Sequence, residues 1–395
     1  MGRKALPFAV LAVLSLVLLA GCLRGGGRGN LTGEVWDAQG PVSGVLVEGG
    51  GKSVLTGSDG RFLLEDLPAG RQYVFFSHAS YTGAVVAADV ADGETKSINP
   101  EGRVVLAERN EDNLKEYLFT LYELGFYERV VRGSEDFLLS YPQSPLAPSI
   151  LFLQGASFFY LGEYRKAVTV LGAMVAGAPQ DPFADDAQYL LARCYSEGLR
   201  DFSQAVGEYR KLVERYPESE FVGQALYEMG DCYYILGAFR DALASYEEAM
   251  AFGGEVVRKA LYSSAHCLYR MEFYNRAAAR FLEYVAQYPA TDLSDDAQYF
   301  AGASLYKASR FAEALQAFED CVRLYPEGKW YNGILIAPAA LFHKGLCLEK
   351  LGRYLEAYNT YLDIIRRYPG AKWADGSSLI QNVQFRIDWL RKYVL

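Results

Sequence analysis

The stretch Leu226 to Gly254 (LYEMGDCYYILGAFRDALASYEEAMAFGG) constrains this chain most, because it reads as one helical hairpin that recurs along most of the sequence. In its first half apolar residues fall at three- and four-residue steps (Leu226, Met229, Tyr233), the period of a helix face. Leu236-Gly237 then supplies a helix stop, and a second helix carries Ala242, Tyr246 and Ala249 on one side. The block-closing residues Pro179, Pro217, Gly254, Pro289, Pro326 and Pro369 stand 35 to 43 residues apart, mostly near 37. Twelve positions before each lies an alanine: Ala167, Ala205, Ala242, Ala277, Ala314 and Ala357. Twenty-four before lie Gly155, Gly230, Gly302 and Gly345, small enough for two helices to approach closely. The pentapeptide DDAQY at Asp185–Tyr189 returns letter for letter at Asp295–Tyr299. A unit with one apolar stripe per helix buries it only by stacking on copies of itself, so the pattern predicts a repeat array.

This register resembles the tetratricopeptide repeat, with Leu-Gly-x-aromatic at the hairpin in Leu161–Tyr164, Leu236–Phe239 and Leu351–Tyr354. The resemblance covers residues 111 to 369, and the array is drawn over 110–372 with about seven units. The first unit ends at Tyr141-Pro142 and has Val130 in place of the alanine, yet Leu124-Gly125-Phe126-Tyr127 keeps the turn, as in a capping repeat. From Asp375 to Leu395, Leu379, Val383, Phe385, Ile387, Leu390 and Val394 predict a closing helix in a final segment 373–395, with Lys372-Trp373 docking it. The repeated Tyr-Pro terminators, such as Tyr216-Pro217 and Tyr288-Pro289, are similar to those of BamD-like lipoproteins and of the Tol-Pal coordinator.

At the other end, Arg3 and Lys4 precede an apolar run from Ala5 to Leu18, too short for a membrane span and arranged like a secretory signal over 1–21. Leu19-Ala20-Gly21-Cys22 resembles the bacterial lipobox, which implies cleavage before Cys22 and acyl chains on it. Several such chains make a stable membrane anchor. Leu23 rather than an acidic residue after the cysteine implies, by the enteric sorting pattern, the outer membrane with the body facing the periplasm. Residues 22–30, rich in glycine, read as lipidated cysteine and flexible spacer. The formal net charge of −9 argues against a nucleic-acid partner.

Over 31–107 the period changes to two, in seven short runs from LTGEVWD to GRVVLAE separated by Gly, Pro, Asp and Ser. These predict a small antiparallel β-sandwich. Gly33–Asp37, Gly40–Val45, Thr56–Phe62 and Leu67–Gly70 together look like the carboxypeptidase regulatory-like family, which implies an accessory module without chemistry of its own. The expected architecture is a small all-β sandwich followed by an all-α tetratricopeptide-repeat solenoid.

No motif for catalysis, a cofactor or a metal is found. Gly51-Lys52-Ser53 lacks the glycine a phosphate loop needs, since Leu46 stands there, and a hairpin turn follows. His78, His266 and His343 fall in different elements without ligand spacing and read as structural. Cys194, Cys232, Cys267 and Cys347 recur at one small buried site per repeat, about 10 Å apart by helix packing and beyond bridging reach, so these and Cys321 are expected as free thiols.

The array does carry a line of aromatic residues. Phe152, Tyr189, Tyr227, Tyr262, Tyr299 and Phe342 stand three before each helix glycine position, and Phe159, Tyr234, Tyr269 and Tyr306 stand two turns further on. By the repeat resemblance, first helices line a concave surface. Two readings stay open: the rings pack neighbouring helices, or they face a binding groove, where rings with hydroxyls suit peptides and sugars. Arg193, Asp231, His266 and Arg270 interleave polar groups on that face and favour the groove. The function expected is a non-enzymatic, lipid-anchored envelope scaffold with a protein or peptide in the repeat groove, in outer-membrane assembly or envelope integrity. The alternative is a glycan-binding outer-membrane lipoprotein of the SusD type, against which the short loops between helices count.

Overall fold

A computed structural model describes residues 27–394 as two compact units, one ending at Asp181 and one beginning at Pro182. The expected leader, Cys22 and the expected spacer as far as residue 26 lie outside the described residues.

The first unit opens with the β module. Strand β1 (Arg28–Trp36) pairs antiparallel with β4 (Arg61–Pro68) and, along its other edge, parallel with β7 (Thr95–Ser97) and then β8 (Arg103–Val105). The second sheet runs β3 (Lys52–Leu55), β2 (Leu46–Gly49), β5 (Gly70–Ser77), β6 (Ala84–Val90), all antiparallel. Two expectations change here. The module is not wholly antiparallel and has an eighth strand, because the chain from Thr95 to Val105 folds along one edge of β1 in two short pieces. Strand β1 also starts at Arg28, inside the stretch expected as spacer, because its edge partners begin there: Arg28 N–H reaches Asp92 at 2.9 Å and Gly93 N–H the Arg28 carbonyl at 2.8 Å. Leu31, Val35, Val47, Phe62, Leu64, Val74 and Phe76 alternate inward to form the core between the sheets. At Gly50-Gly51, both with positive φ (53° and 79°), the β2–β3 hairpin turns in two residues, so the turn expected after Gly51-Lys52-Ser53 lies before Lys52, and a strand rather than a helix runs on from it.

Helices α1 (Glu111–Glu123) and α2 (Tyr127–Ser140), then α3 (Ala147–Tyr160) and α4 (Tyr164–Gly177), complete this unit as two hairpins. The β module docks on the first of them. Phe126, at the α1–α2 turn, sets its ring edge-on to Tyr73 and Phe75 (5.1 and 4.8 Å), and Arg129 lies 3.8 Å over Phe75 while pairing with Glu48 at 3.3 Å.

The second unit holds five more hairpins and a closing helix: α5 (Ala184–Arg193) and α6 (Phe202–Arg215), α7 (Val222–Ile235) and α8 (Phe239–Ala249), α9 (Gly254–Arg270) and α10 (Tyr274–Gln287), α11 (Ser294–Lys307) and α12 (Phe311–Leu324), α13 (Ala337–Lys350) and α14 (Tyr354–Arg367), then α15 (Leu379–Val394). The small residue of each first helix does what the spacing predicts. A Cβ on Gly230 would come within 2.6 Å of Tyr246, on Gly302 within 2.8 Å of Phe318 and on Gly345 within 2.5 Å of Tyr361. In each case the large ring sixteen residues on, fully or almost fully buried, occupies the space the missing side chain leaves. In the hairpin of α5 and α6 a single π-helical turn, Cys194–Gly198, absorbs one extra residue, which accounts for the 38-residue period from Pro179 to Pro217. The repeated DDAQY is explained by its glutamine: Gln188 and Gln298, both buried, donate to the Glu208 and Ala317 carbonyls of their own second helices at 3.1 and 3.0 Å.

At the hairpin turn one position takes positive φ in all seven hairpins of the described residues. It is glycine at Gly125, Gly162, Gly237 and Gly352, but Arg200, Glu272 and Ser309 (φ 54°, 64° and 61°) in the other three. The cap α15 buries Leu379, Val383, Ile387 and Leu390, while Phe385, expected among the apolar set, is exposed.

Candidate functional site

The expected aromatic line divides by neighbour. Tyr227, Tyr299 and Phe342 each lean on the large ring of their own second helix, Tyr246, Phe318 and Tyr361, at 5.6 to 5.7 Å. Tyr262 contacts Tyr284 (5.5 Å) and Tyr189 stacks on Phe221 (4.8 Å, 10° between planes). One step on, Phe159, Tyr234, Tyr269 and Tyr306 make edge contacts of 5.2 to 5.6 Å with the first aromatic residue of their second helices, Tyr164, Phe239, Tyr274 and Phe311. Phe152, Phe159, Tyr189, Tyr299 and Phe342 are buried. For most of the line, packing within the hairpin is therefore the role the geometry shows.

The interleaved polar groups also have partners inside the protein. Asp231 accepts from Tyr246 Oη at 2.6 Å, and burial pushes its carboxyl up to about 6. Arg193 pairs with Glu197 at 2.6 Å, Glu228 accepts from Tyr189 and Tyr209 (2.8 and 2.6 Å), and Arg270 lies 4.6 Å over the Phe239 ring. Mixed charge on this face is thus used to tie helices together. His266 sits in a ring of Tyr262, Phe281 and Phe300 (4.6 to 4.9 Å), its Nε2 3.9 Å from Asp296.

Three of the expected residues, Tyr269, Tyr299 and Tyr306, meet in a half-open cavity of about 500 Å³ within the second unit. Phe300, Ala303 and His343 complete its helical wall, with Asp296 in the first turn of α11 and Lys307 in the last. The remaining wall comes from two loops: Trp330 and Tyr331 between α12 and α13, and Trp373 and Ala374 between α14 and α15.

The turns inside the hairpins are short, three residues at Leu236–Ala238 and at Ala308–Arg310, but these two loops between successive hairpins are longer. From Pro289 to the start of α11 is five residues, whereas Pro326 precedes α13, and Pro369 precedes α15, by ten or eleven. The two insertions are copies. Lys329 bridges Leu335 and Lys372 bridges Ser378; Trp330 N–H donates to Ile334 and Trp373 N–H to Ser377, each at 2.9 Å; Gly333 and Gly376 turn the chain with φ of 81° and 84°. Each tryptophan sets its ring on the first helix before it, Trp330 on Tyr299 (4.8 Å) and Trp373 on Phe342 (5.2 Å). Asn332 Nδ2 donates to the Ala374 carbonyl at 2.5 Å and joins the loops, and Asp295 accepts from the Lys329 N–H at 2.8 Å. The shared spelling, Tyr-Pro-x-x-Lys-Trp-x-(Asn or Asp)-Gly at 325–333 and 368–376, was present in the sequence and is the signal that finds them.

His343 is enclosed by Phe318, Phe342 and Trp373 and donates from Nδ1 to the Ala339 carbonyl (3.0 Å); burial holds it neutral below its ordinary value. Trp373 Nε1 donates to Asn382 at 3.0 Å, while Trp330 Nε1 is buried without a hydrogen bond. Cys194, Cys232, Cys267, Cys321 and Cys347 are buried and free; burial pushes the thiols of Cys194, Cys232, Cys267 and Cys347 up to about 12. Among the described residues no cluster of three or more His, Cys, Asp or Glu is arranged to hold a metal ion, and no helix is long and apolar enough to cross a membrane.

Sequence models of the tetratricopeptide repeat match residues 186–219 and 339–371, and a second such model matches 262–329. The chain therefore carries tetratricopeptide repeats, the class of helical hairpin that builds protein-binding scaffolds. Among solved structures it is similar to a tetratricopeptide repeat protein from Parabacteroides merdae (14% identity, 71% of this chain and 98% of that one, TM-score 0.43). It is also similar to the C-terminal part of a repeat protein from Cytophaga hutchinsonii (15%, 65% and 96%, TM-score 0.49). A third, YrrB, described as having an unusual peptide-binding site, matches at 17% over 49% of this chain and 92% of its own, with TM-score 0.40. No curated protein matches the chain.

Proposed function

We propose that this chain is a non-enzymatic scaffold of the bacterial envelope, lipid-anchored through Cys22, that holds a protein or peptide partner on the first-helix side of its repeats. One observation carries the binding part. An apolar, half-open cavity walled by aromatic rings ends in Tyr331, which is 99% exposed at its rim, so a ring is held out where only a partner would cover it. The anchoring part is supported by the sequence from Arg3 to Cys22. The β module, docked on the first hairpin through Phe126 and Arg129, would then act as the spacer between lipid and repeats.

The longer Trp loops give the glycan alternative a place to bind that short connections would not. The lining weighs against it. His343 Nδ1 is taken by Ala339, and aromatic rings make up most of the wall, with Asp296 and Lys307 its charged groups. Each sugar hydroxyl buried without a partner costs about 1–3 kcal/mol.

A photo-crosslinking residue at Tyr331 or Tyr269, with Glu247 on α8 as control, tests the reading in native envelopes. A discrete polypeptide adduct from the cavity positions and none from Glu247 is expected. Equal adducts at all three, or none at the cavity, would remove the scaffold reading.

A further inference from the structure

The cavity has a polarity along its length. Asp296 and Lys307 stand eleven residues apart on α11, about 16 Å at 1.5 Å per residue. Asp296 accepts from Tyr262 Oη through Oδ2 and, among the described residues, stands in no ion pair with a lysine or arginine, the His266 ring lying 3.9 Å away, while Lys307 is exposed and stands in no ion pair among the described residues. Between these ends lie the rings of Tyr299, Phe300, Trp330 and Trp373 and the small side chain of Ala303.

We infer that the cavity takes an extended polypeptide segment whose bulky apolar side chain enters between the two tryptophan loops, with a basic residue toward Asp296 and an acidic group toward Lys307. This rests on the scaffold reading above and narrows it to a partner chemistry. The rings supply an apolar socket for the anchor and negative π faces toward a nearby cation. An extended chain advances about 3.3 Å per residue, so 16 Å corresponds to about five residues between the two charges. Asp296 and Lys307 then set the direction of the segment, because reversal would place like charges together.

The test uses the full chain in detergent micelles and a phage-displayed library of random heptapeptides. Selected peptides are synthesised and their Kd measured by fluorescence anisotropy against the wild type and three variants. Tyr331→Ala removes a fully exposed ring and leaves the packing untouched; Ala303→Leu fills the socket; Lys307→Glu reverses one end. Circular dichroism melting checks that each variant is folded. The expected result is a consensus with one aromatic or long aliphatic residue flanked by opposite charges. Kd should weaken tenfold or more in Tyr331→Ala and Ala303→Leu, and selection on Lys307→Glu should replace the acidic position by a basic one. Peptides that bind folded Tyr331→Ala and Ala303→Leu as tightly as wild type would overturn the assignment and leave the scaffold reading standing. Enrichment of no peptide, together with retention on a polysaccharide gel that Tyr331→Ala abolishes, would overturn both.

Discussion

At the scale of single residues, the hairpins are built around a small residue and the ring that fills its space. Gly230→Ala drives a Cβ to 2.6 Å from the Tyr246 ring and should cost about 1–3 kcal/mol in urea unfolding, the usual range for overpacking. The turn position gives the opposite sign. Glu272 and Ser309 hold φ of 64° and 61°, where the left-handed region costs an L residue about 1–2 kcal/mol, partly offset by the flexibility glycine adds to the unfolded chain. Glu272→Gly and Ser309→Gly should each raise stability by up to about 1 kcal/mol, and Gly237→Ala should lower it by a similar amount. Asp231 supplies a pH signature. Its folded carboxyl is raised to about 6, so between its ordinary value near 4 and that value the folded state holds a proton the unfolded chain has released. Stability from this group is therefore present at low pH and lost as pH rises through the window, with a slope of at most about 1.4 kcal/mol per pH unit. Asp231→Asn should flatten that part of the stability profile, read by denaturant titrations at pH 4, 5, 6 and 7.

At the scale of elements, the hairpin was legible because its signals are local: a three- and four-residue period, a turn residue and a closing proline. The β module was legible as alternating strands. Its parallel edge was not, since pairing of Thr95–Ser97 and Arg103–Val105 with β1 is a long-range choice that a period of two does not encode. The aromatic line was visible residue by residue, but its meaning depended on what lies opposite each ring, and Tyr246, Phe318 and Tyr361 come from the second helices. The cavity was the least legible part. Its loops interrupt the repeat, and a search for what recurs every 37 residues passes over what recurs only twice, at Trp330 and Trp373. Their copied hydrogen bonds predict a matched response. Gly333→Ala and Gly376→Ala, each at a φ above 80°, should loosen their loops at a cost of about 1–2 kcal/mol. The emission of Trp330 or Trp373 should shift to longer wavelength as the ring leaves its aromatic seat. An unchanged spectrum in both variants would mean that the loops do not hold the rings.

For the molecule as a whole, the proposed lipid tether, the β module and the repeats suit a protein that presents a partner near a membrane. The proposed tether rests on Cys22. Cys22→Ser should move the chain from the membrane to the soluble fraction on cell fractionation, and abolish labelling by an alkyne fatty acid; continued membrane retention would assign the anchoring elsewhere. The central claim, that partners are held in the cavity between the tryptophan loops, is tested most directly by hydrogen–deuterium exchange of the full chain, with and without the polypeptide that crosslinks at Tyr331. Protection confined to 328–336, 371–378 and the C-terminal half of α11 is the predicted result. Protection on the second helices or the β module, with those loops unchanged, would contradict it.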